Sequence, residues 1–254
     1  MQGIELIAHR GASREAPENT LASFRRAWSE GADGIEGDYR LTRDGEIVCI
    51  HDATTRRTAG IDLSVADTDY ARLRTVDVGS WKGGAWRGER IPSIREVIAT
   101  VPAGKKLYLE LKSGPEIVPP LSHILAESDL KPEQVVILAF SEEVIAEARR
   151  QLPRIRGFWL TDFKRDLHGG WTPPIQQILE TLERTGASGL SCKAHHSINQ
   201  TFVRALRVAG MEFHVWTVDT MPIATRFTSL GVDSITTNRP AWLRTRLHNA
   251  TARF

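Results

Sequence analysis

The chain has 254 residues, of which 41% are hydrophobic and 25% are charged, and its formal net charge at pH 7 is +2. This composition is typical of a globular protein with one large core, and it includes neither the roughly 18-residue apolar run of a membrane span nor a basic cluster for nucleic acid. We therefore expect a cytoplasmic protein in which residues 1–254 form a single domain, with Cys49 and Cys192 as buried free thiols. The sequence does not indicate an oligomeric state.

The first predicted strand is the apolar run Ile4–Ala8, which ends in His9-Arg10-Gly11. A buried parallel strand has this character, because both of its faces are covered by apolar groups. A helix is predicted next. It opens near Asn19-Thr20, since both residue types cap helices, and it ends at Gly31.

The stretch Gly34–Asp52 predicts a β-hairpin. Two apolar, β-rich runs flank a polar centre, and Asp44-Gly45 between such runs is typical of a two-residue type I′ turn. That turn places Asp38 opposite His51. Glu36 leaves the same face of the strand as Asp38, because side chains alternate along a strand. Two carboxylates and an imidazole are therefore expected to converge on one spot.

Two carboxylates this close repel each other unless a positive charge neutralises them. A divalent cation does so most simply, and carboxylate oxygens suit Mg²⁺ or Ca²⁺. Taken alone, the hairpin has a second interpretation, in which it is exposed, its acids are solvated and the histidine is unrelated to them. The remainder of the chain favours the metal site.

Residues 53–92 form a long irregular stretch, which we interpret as a small insertion that includes a short helix at Asp67–Leu73. A loop of this length within a compact domain is usually functional. Ser93 is predicted to cap a helix over Ile94–Thr100, with Glu96 as the reciprocal member of a capping box.

Strands and helices then alternate to the end of the chain. Further strands are predicted at Leu107–Leu111, Val135–Phe140, Arg156–Leu160, Gly189–Cys192, Phe213–Val218 and Ser234–Thr237. Helices are predicted at Glu116–Glu127, Glu142–Gln151, Ile175–Thr185, Asn199–Val208, Pro222–Ser229 and near Arg239–Leu247. With the first strand and the first arm of the hairpin, these make eight strands, which predict an α/β fold of the (β/α)₈ TIM barrel type. The second arm is not a barrel strand, because a two-residue turn leaves no room for a crossover.

Chemically active residues lie where the predicted strands end, and a TIM barrel gathers its catalytic groups at that face. Three carboxylates, Glu36, Asp38 and Glu110, come from the second and third strands and could bind one divalent cation. Two histidines, His9 and His51, approach from opposite sides and could serve as general acid and general base near neutral pH.

Arg10 and Lys112 add positive charge at the same end of the barrel, and an arginine is suited to bidentate contact with a phosphate. Trp216, near the end of the seventh strand, could form an apolar wall for the organic part of a substrate. Each residue also has a structural interpretation. His9 could be a satisfied residue at a strand end, Glu110 could pair with Lys112 inside the barrel, and Trp216 could belong to the core.

A series of motifs runs in order along the chain from Ile7 to Pro240. They are H-R-G-x₅-P-E-N-T, E-x-D, H-D after a T-R-D-G turn, R-T-x-G, I-P-S-I-R-E-V, L-E-L-K and W-T-V-D. In this combination the sequence resembles the glycerophosphodiester phosphodiesterases. The resemblance implies a TIM barrel, one divalent cation (Mg²⁺ or Ca²⁺) and hydrolysis of glycerophosphodiesters such as glycerophosphocholine and glycerophosphoethanolamine to glycerol 3-phosphate and an alcohol.

The resemblance also implies roles for individual residues. The family's catalytic histidines fall on His9 and His51, its metal carboxylates on Glu36, Asp38 and Glu110, and its phosphate-binding groups on Arg10 and Lys112. Residues 53–92 correspond to an insertion that caps the mouth of the barrel.

Two departures from the family pattern bear on substrate preference. The loop Gly11–Pro17 is longer than in many members, and the last strand ends in T-T-N-R-P where an acidic residue is expected. A lysophospholipase D-type enzyme on the same barrel is one alternative, although the insertion carries charged residues beside Trp81 and Trp86. A catalytically inactive binding barrel is another, although such proteins usually lack a metal ligand or a histidine that this chain retains.

Overall fold

The computed structural model describes residues 4–167 and 169–251. Within them, eight parallel strands close into a barrel in the order β1-β11-β10-β9-β6-β5-β4-β2, with β2 pairing back onto β1. The barrel strands are β1 (Glu5–Ala8), β2 (Gly34–Leu41), β4 (Lys106–Leu111), β5 (Val135–Ala139), β6 (Arg156–Thr161), β9 (Gly189–Lys193), β10 (Glu212–Trp216) and β11 (Ser234–Thr237). The short strands outside it are β3 (Ile47–Cys49), β7 (Lys164–Arg165) and β8 (Trp171–Thr172). The predicted TIM barrel is confirmed.

A helix follows each barrel strand in the chain, as the alternating pattern predicts. Those helices are α1 (Leu21–Ser29), α4 (Ile94–Ile98), α5 (Val118–Ala126), α6 (Glu142–Gln151), α7 (Ile175–Thr185), α8 (Gln200–Val208), α9 (Met221–Leu230) and α10 (Pro240–Thr251). Two four-residue helices, α2 (Arg56–Ala59) and α3 (Tyr70–Leu73), lie between β3 and α4. The predicted capping box between Ser93 and Glu96 is present at the start of α4. No helix in the described ranges combines the length and apolar character needed to cross a bilayer.

The hairpin register predicted from the sequence is wrong by one residue. β3 pairs antiparallel with β2, joining Tyr39 to Cys49 and Leu41 to Ile47, and the ladder continues with the Ile50 amide donating to the Asp38 carbonyl (2.8 Å). Asp38 is therefore opposite Ile50 rather than His51. His51 follows immediately and still reaches the carboxyl end of the barrel.

The physical reason for the shift is a three-residue loop in place of the two-residue turn. The Thr42 amide donates to the Glu46 carbonyl (2.9 Å), and Gly45 has a positive φ of 81° whereas Asp44 does not. The Asp44 carboxylate instead accepts hydrogen bonds from the Thr42 hydroxyl (2.5 Å) and from the Tyr70 amide (3.0 Å). A type I turn followed by one left-handed residue has this geometry.

The stretch 53–92 has a small core of its own. Val65, Leu73, Val76, Val78 and Ile91 are buried in one cluster, which includes Val48 and Ile50 from the second arm of the hairpin. The predicted short helix at Asp67–Leu73 appears as α3, and α2 was not predicted. Because this cluster includes Ile50, it fixes the position of the neighbouring His51.

Candidate active site

A cavity of about 180 Å³ opens at the carboxyl ends of the barrel strands. Its lining residues are His9, Arg10, Glu36, His51, Glu110, Lys112, Leu138, Phe140, Leu160, Trp216 and Thr236. Seven of the eight site residues predicted from the sequence line this cavity. The eighth, Asp38, is fully buried and contacts Arg10 and Lys112.

A larger groove of about 920 Å³ lies elsewhere, and its lining includes Lys106 and Arg156 from the amino ends of β4 and β6. Conserved chemistry in TIM barrels is found at the opposite, carboxyl face. The smaller cavity also holds the converging carboxylates and imidazoles, so we assign the site there.

Three carboxylates meet beneath the cavity. Glu36 and Asp38 lie on one face of β2, and the strand register sets Asp38 beside Glu110 of β4. Their ligand oxygens all lie within 4.8 Å of one another. Gly37 separates the first two, and a Cβ there would lie 3.0 Å from the Cys49 sulfur, so the outer face of the strand is closely packed.

Two basic side chains partly balance these carboxylates. The Arg10 Nε lies 3.1 Å from Asp38 Oδ2, and the Arg10 amide donates to Glu36 Oε2 (2.9 Å). The Lys112 ammonium lies 3.1 Å from Asp38 Oδ1 and also contacts Glu110. Asn19 adds a hydrogen bond from its Nδ2 to Asp38 Oδ2 (2.8 Å).

The carboxylates differ in their acidity. Burial, reinforced by the charge of Asp38, raises the pKa of Glu36 to about 8 and that of Glu110 to about 7. Burial alone would raise the pKa of Asp38 as well, but the charges of Arg10 and Lys112 hold it below its ordinary value. At neutral pH the three groups are therefore not all ionised unless a further cation lies among them.

The three carboxylates are suited to bind a divalent cation. Buried Glu36 Oε1 accepts no hydrogen bond from the described part of the chain. A buried carboxylate oxygen without a partner is costly, and metal coordination would satisfy it. All three donors are hard oxygens, which favour Mg²⁺ or Ca²⁺ over softer metals.

The His9 ring is held by an amide. Its Nδ1 lies 2.8 Å from Asn238 Oδ1, and Asn238 donates to Asp219 through both its side-chain Nδ2 and its backbone amide (2.8 Å for the amide). Because the Asn238 nitrogen faces Asp219, its oxygen faces the histidine, and the hydrogen-bond network assigns the neutral ring's proton to Nδ1. The lone pair is then on Nε2. Burial, followed by the charge of Arg10, lowers the pKa of His9.

The His51 ring is held by a carboxylate. Its Nδ1 lies 2.7 Å from Asp52 Oδ1, and the Arg57 Nε donates to Asp52 Oδ2 (2.6 Å). Arg40 fixes the backbone at the same residue, because its Nε and a terminal nitrogen both donate to the His51 carbonyl (2.9 and 2.7 Å). Burial lowers the pKa of His51, although Asp38 and Asp52 oppose that shift.

Part of the cavity wall is apolar. The rings of Phe140 and Trp216 meet edge to face with centroids 5.9 Å apart, and Leu138 and Leu160 line the wall with them. Phe140 is 47% exposed, so part of its ring faces solvent at the mouth. Charged groups and an apolar wall thus line one small cavity, and Lys112 Nζ lies 5.8 Å from the centroid of the Phe140 ring.

Several residues that contact this site were not predicted from the sequence to do so. Asn238 and Asp219 hold His9, and Phe140 extends the wall. Asn19 and Thr20 were both predicted as possible helix caps; Thr20 caps α1, whereas Asn19 adopts a positive φ of 56° and bonds to Asp38. The unexpected asparagine in T-T-N-R-P was the one local signal for Asn238.

Other histidines lie away from the cavity. His195 packs against Phe163 and Trp171 in an aromatic cluster, and His214 is buried with its Nδ1 bonded to Ser234. Neither lines the site. His168, to which the sequence gave no role, lies outside the described residues.

Comparison with known proteins decides the family. A model of the glycerophosphoryl diester phosphodiesterase family matches residues 9–242. The chain belongs to this family. A glycerophosphodiester phosphodiesterase from Caldanaerobacter subterraneus is 32% identical over 244 residues, covering 94% of this chain and 95% of that protein. One from Bacillus subtilis is 30% identical, covering 93% and 84% of the two chains.

A solved structure supports the same conclusion. A phosphodiesterase from Oleispira antarctica, determined with the product sn-glycerol-3-phosphate, has a TM-score of 0.86 and 28% identity, covering 96% of each chain. The glycerophosphoryl diester phosphodiesterases are metal-dependent enzymes that hydrolyse glycerophosphodiesters. The protein is accordingly a phosphodiesterase, and its acidic cluster could bind a metal ion.

Proposed function

We propose that this enzyme hydrolyses glycerophosphodiesters with small alcohols, such as glycerophosphocholine and glycerophosphoethanolamine, to sn-glycerol 3-phosphate. The observation that carries the proposal is the convergence of two imidazoles, three carboxylates and two basic groups on one cavity of about 180 Å³. The Oleispira relative, determined with sn-glycerol-3-phosphate, supports the choice of product.

Glu36, Asp38 and Glu110 are the proposed ligands of one divalent cation, Mg²⁺ or Ca²⁺. When bound, that ion supplies a Lewis acid and a template for the attacking oxygen. The three carboxylates and the two basic groups Arg10 and Lys112 sum to one negative charge. A divalent cation changes the sum to one positive charge, which matches a singly charged phosphodiester.

Arg10 and Lys112 are the proposed phosphate-binding groups. Both are partly buried beside the carboxylates, so their charges act in a medium that screens them weakly. Trp216 is the proposed wall for the carbon skeleton of the substrate. Its ring packs against Phe140 in the apolar part of the cavity wall.

His9 and His51 are the proposed acid–base pair. One imidazole takes the proton of the attacking hydroxyl as the new P–O bond forms, and the other donates a proton to the leaving alkoxide as the old bond breaks. The attacking group is water, or the glycerol 2-hydroxyl, which gives a cyclic phosphate that water opens in a second displacement with the roles of the two histidines exchanged. Each displacement takes one proton from the attacking oxygen and donates one to the leaving oxygen.

The first experiment is an assay of glycerol 3-phosphate release from glycerophosphocholine and glycerophosphoethanolamine, with Mg²⁺, with Ca²⁺ and with EDTA. We expect release from both substrates that EDTA abolishes. Lysophosphatidylcholine serves as the comparison substrate, and we expect slower turnover because the insertion carries charged residues beside Trp81 and Trp86 rather than a continuous apolar surface for an acyl chain. Absence of release from a folded protein under every metal would refute the proposal.

A further inference from the structure

We propose that Arg57 and Glu18 are positioning residues that hold the His51 imidazole through Asp52 and connect it to the phosphate side of the cavity. Neither residue lines the cavity beside the reacting groups. Glu18 acts through Arg10, which lines the cavity, and Arg57 acts through Asp52, which holds His51. The inference rests on the proposed acid–base role of His51.

A continuous chain of hydrogen bonds carries the proposal. Asp52 receives the His51 Nδ1 on one oxygen (2.7 Å) and the Arg57 Nε on the other (2.6 Å). The two terminal nitrogens of Arg57 donate to the two oxygens of Glu18, at 2.9 and 2.7 Å. Arg57 thus bridges two carboxylates with three of its donors.

This geometry restricts the histidine more than Asp52 could alone. Asp52 lies in a bend after the second arm of the hairpin, and its side chain is 31% exposed. A carboxylate in that position would be free to rotate away from the ring. The paired Arg57–Glu18 contact has the parallel two-bond form that fixes a guanidinium plane, so it fixes the orientation of Asp52 as well.

The placement of Arg57 makes it part of the insertion. It lies on α2, six positions after His51, and its neighbour Thr58 is buried. The insertion's apolar cluster includes Ile50, directly before His51. The insertion therefore contacts both neighbours of His51, Ile50 through apolar packing and Asp52 through the ion pair with Arg57.

Glu18 links the two sides of the site. Its Oε1 accepts from Arg57 (2.7 Å) and also from Arg10 Nη1 (2.9 Å), while Arg10 Nε lies 3.1 Å from Asp38. One carboxylate therefore orients both the group that holds His51 and the proposed phosphate-binding arginine. Loss of Glu18 should affect substrate binding and turnover together, whereas loss of Arg57 should affect turnover alone.

The chain itself offers a matched control. Arg56 precedes Arg57 on the same helix and pairs with Asp62 on the exposed surface. Exposed ion pairs of that kind contribute little to stability. Arg56→Gln therefore removes the same charge from the same helix and leaves the hydrogen bonds between Arg57, Asp52 and His51 intact.

The test measures kcat and KM for glycerophosphocholine at saturating Mg²⁺. We expect Arg57→Gln to lower kcat about 10- to 100-fold, the range for removing a group that orients a site residue, with KM within about twofold. Arg57→Lys keeps the positive charge but loses the planar guanidinium that bonds to both carboxylates. Its kcat should therefore lie between those of Arg57→Gln and the wild type. Glu18→Gln should lower kcat and raise KM, and Arg56→Gln should match the wild type.

A double-mutant cycle with His51→Ala separates positioning from a general structural effect. If Arg57 acts through His51, Arg57→Gln should have no further effect in the His51→Ala background. An equal loss in both backgrounds, or equal kcat values for Arg57→Gln and Arg56→Gln, would overturn the inference. Should Arg57→Gln fail to fold, Arg57→Lys carries the same cycle.

The same measurements distinguish this inference from the proposed function. A His51→Ala variant with wild-type turnover would refute the acid–base role of His51 and the inference with it. An inactive His51→Ala variant beside a fully active Arg57→Gln variant would refute the positioning role only.

Discussion

His9 and His51 are oriented by chemically different partners. His9 bonds to a neutral amide, Asn238, which Asp219 orients in turn, whereas His51 bonds directly to the carboxylate of Asp52. A carboxylate stabilises a protonated imidazole, and an amide oxygen chiefly selects the tautomer. The two rings therefore differ in how readily they hold a positive charge, which suits a pair with complementary proton transfers.

Replacement of either histidine tests the acid–base proposal. We expect His9→Ala and His51→Ala each to lower kcat by about 10²- to 10⁴-fold, because each removes one positioned proton-transfer group. Steady-state kinetics with glycerophosphocholine checks this, and thermal unfolding of each variant should show an intact fold. Wild-type turnover in a folded variant would remove that histidine from the mechanism.

Asn238 offers a separate test at the residue scale. Asn238→Ala removes the hydrogen bond that orients the His9 ring and selects its tautomer, so we expect kcat to fall about 10- to 100-fold. Ser13→Ala is the matched control, because the Ser13 hydroxyl donates to the same Asn238 oxygen (2.8 Å) without contacting His9. Steady-state kinetics of the two variants checks the prediction, and equal kcat values would contradict it.

The hairpin shows what a local pattern can and cannot predict. Asp44-Gly45 between apolar runs correctly predicted two antiparallel arms. The two-residue turn and the three-residue loop both place glycine at position 45, so the sequence did not distinguish them. In the structure Asp44 accepts from the neighbouring Thr42 hydroxyl and from the Tyr70 amide, and the second contact, 26 residues away, cannot be found from neighbouring residues.

The loop conformation gives a prediction at the scale of the element. Gly45 has a φ of 81°, so Gly45→Ala should lower the free energy of unfolding by about 1 kcal/mol. Gly45→Asn should cost less, because asparagine tolerates the left-handed region. Urea denaturation checks both, and turnover should stay unchanged. Equal stability of Gly45→Ala and the wild type would contradict the loop geometry.

At the scale of the molecule, the strand ends were predictable and the contacts that support them were not. Alternating strands and helices predicted a barrel, and a barrel brings strand ends together, so Glu36 and Glu110 could be placed at one mouth from the sequence. Asn238 reaches His9 only because the last strand closes against the first. Arg57 is five residues from Asp52, but its second partner, Glu18, is 39 residues away. The contacts of Asn238 with His9 and of Arg57 with Glu18 both depend on the tertiary fold.

The acidic cluster couples the stability of the whole metal-free molecule to pH. Glu36 has a folded-state pKa of about 8 against an ordinary 4.5, so between these values the folded state binds more protons than the unfolded state. Stability therefore falls as pH rises through this window. Glu110, with a folded-state pKa of about 7, adds to the decline below pH 7, where the lowered pKa values of His9 and His51 oppose it. Between pH 7 and 8 the decline is therefore due chiefly to Glu36.

Thermal unfolding in EDTA measures this effect. We expect the Tm of the wild type to fall from pH 7 to pH 8, and Glu36→Gln to flatten the decline because its amide does not ionise. Added Mg²⁺ should raise the wild-type Tm more at pH 8 than at pH 7, since the ion competes with protons for the same oxygens. Glu36→Gln should lose most of that increase. A wild-type Tm in EDTA that follows the Glu36→Gln curve at every pH would show that Glu36 is already ionised in the metal-free protein.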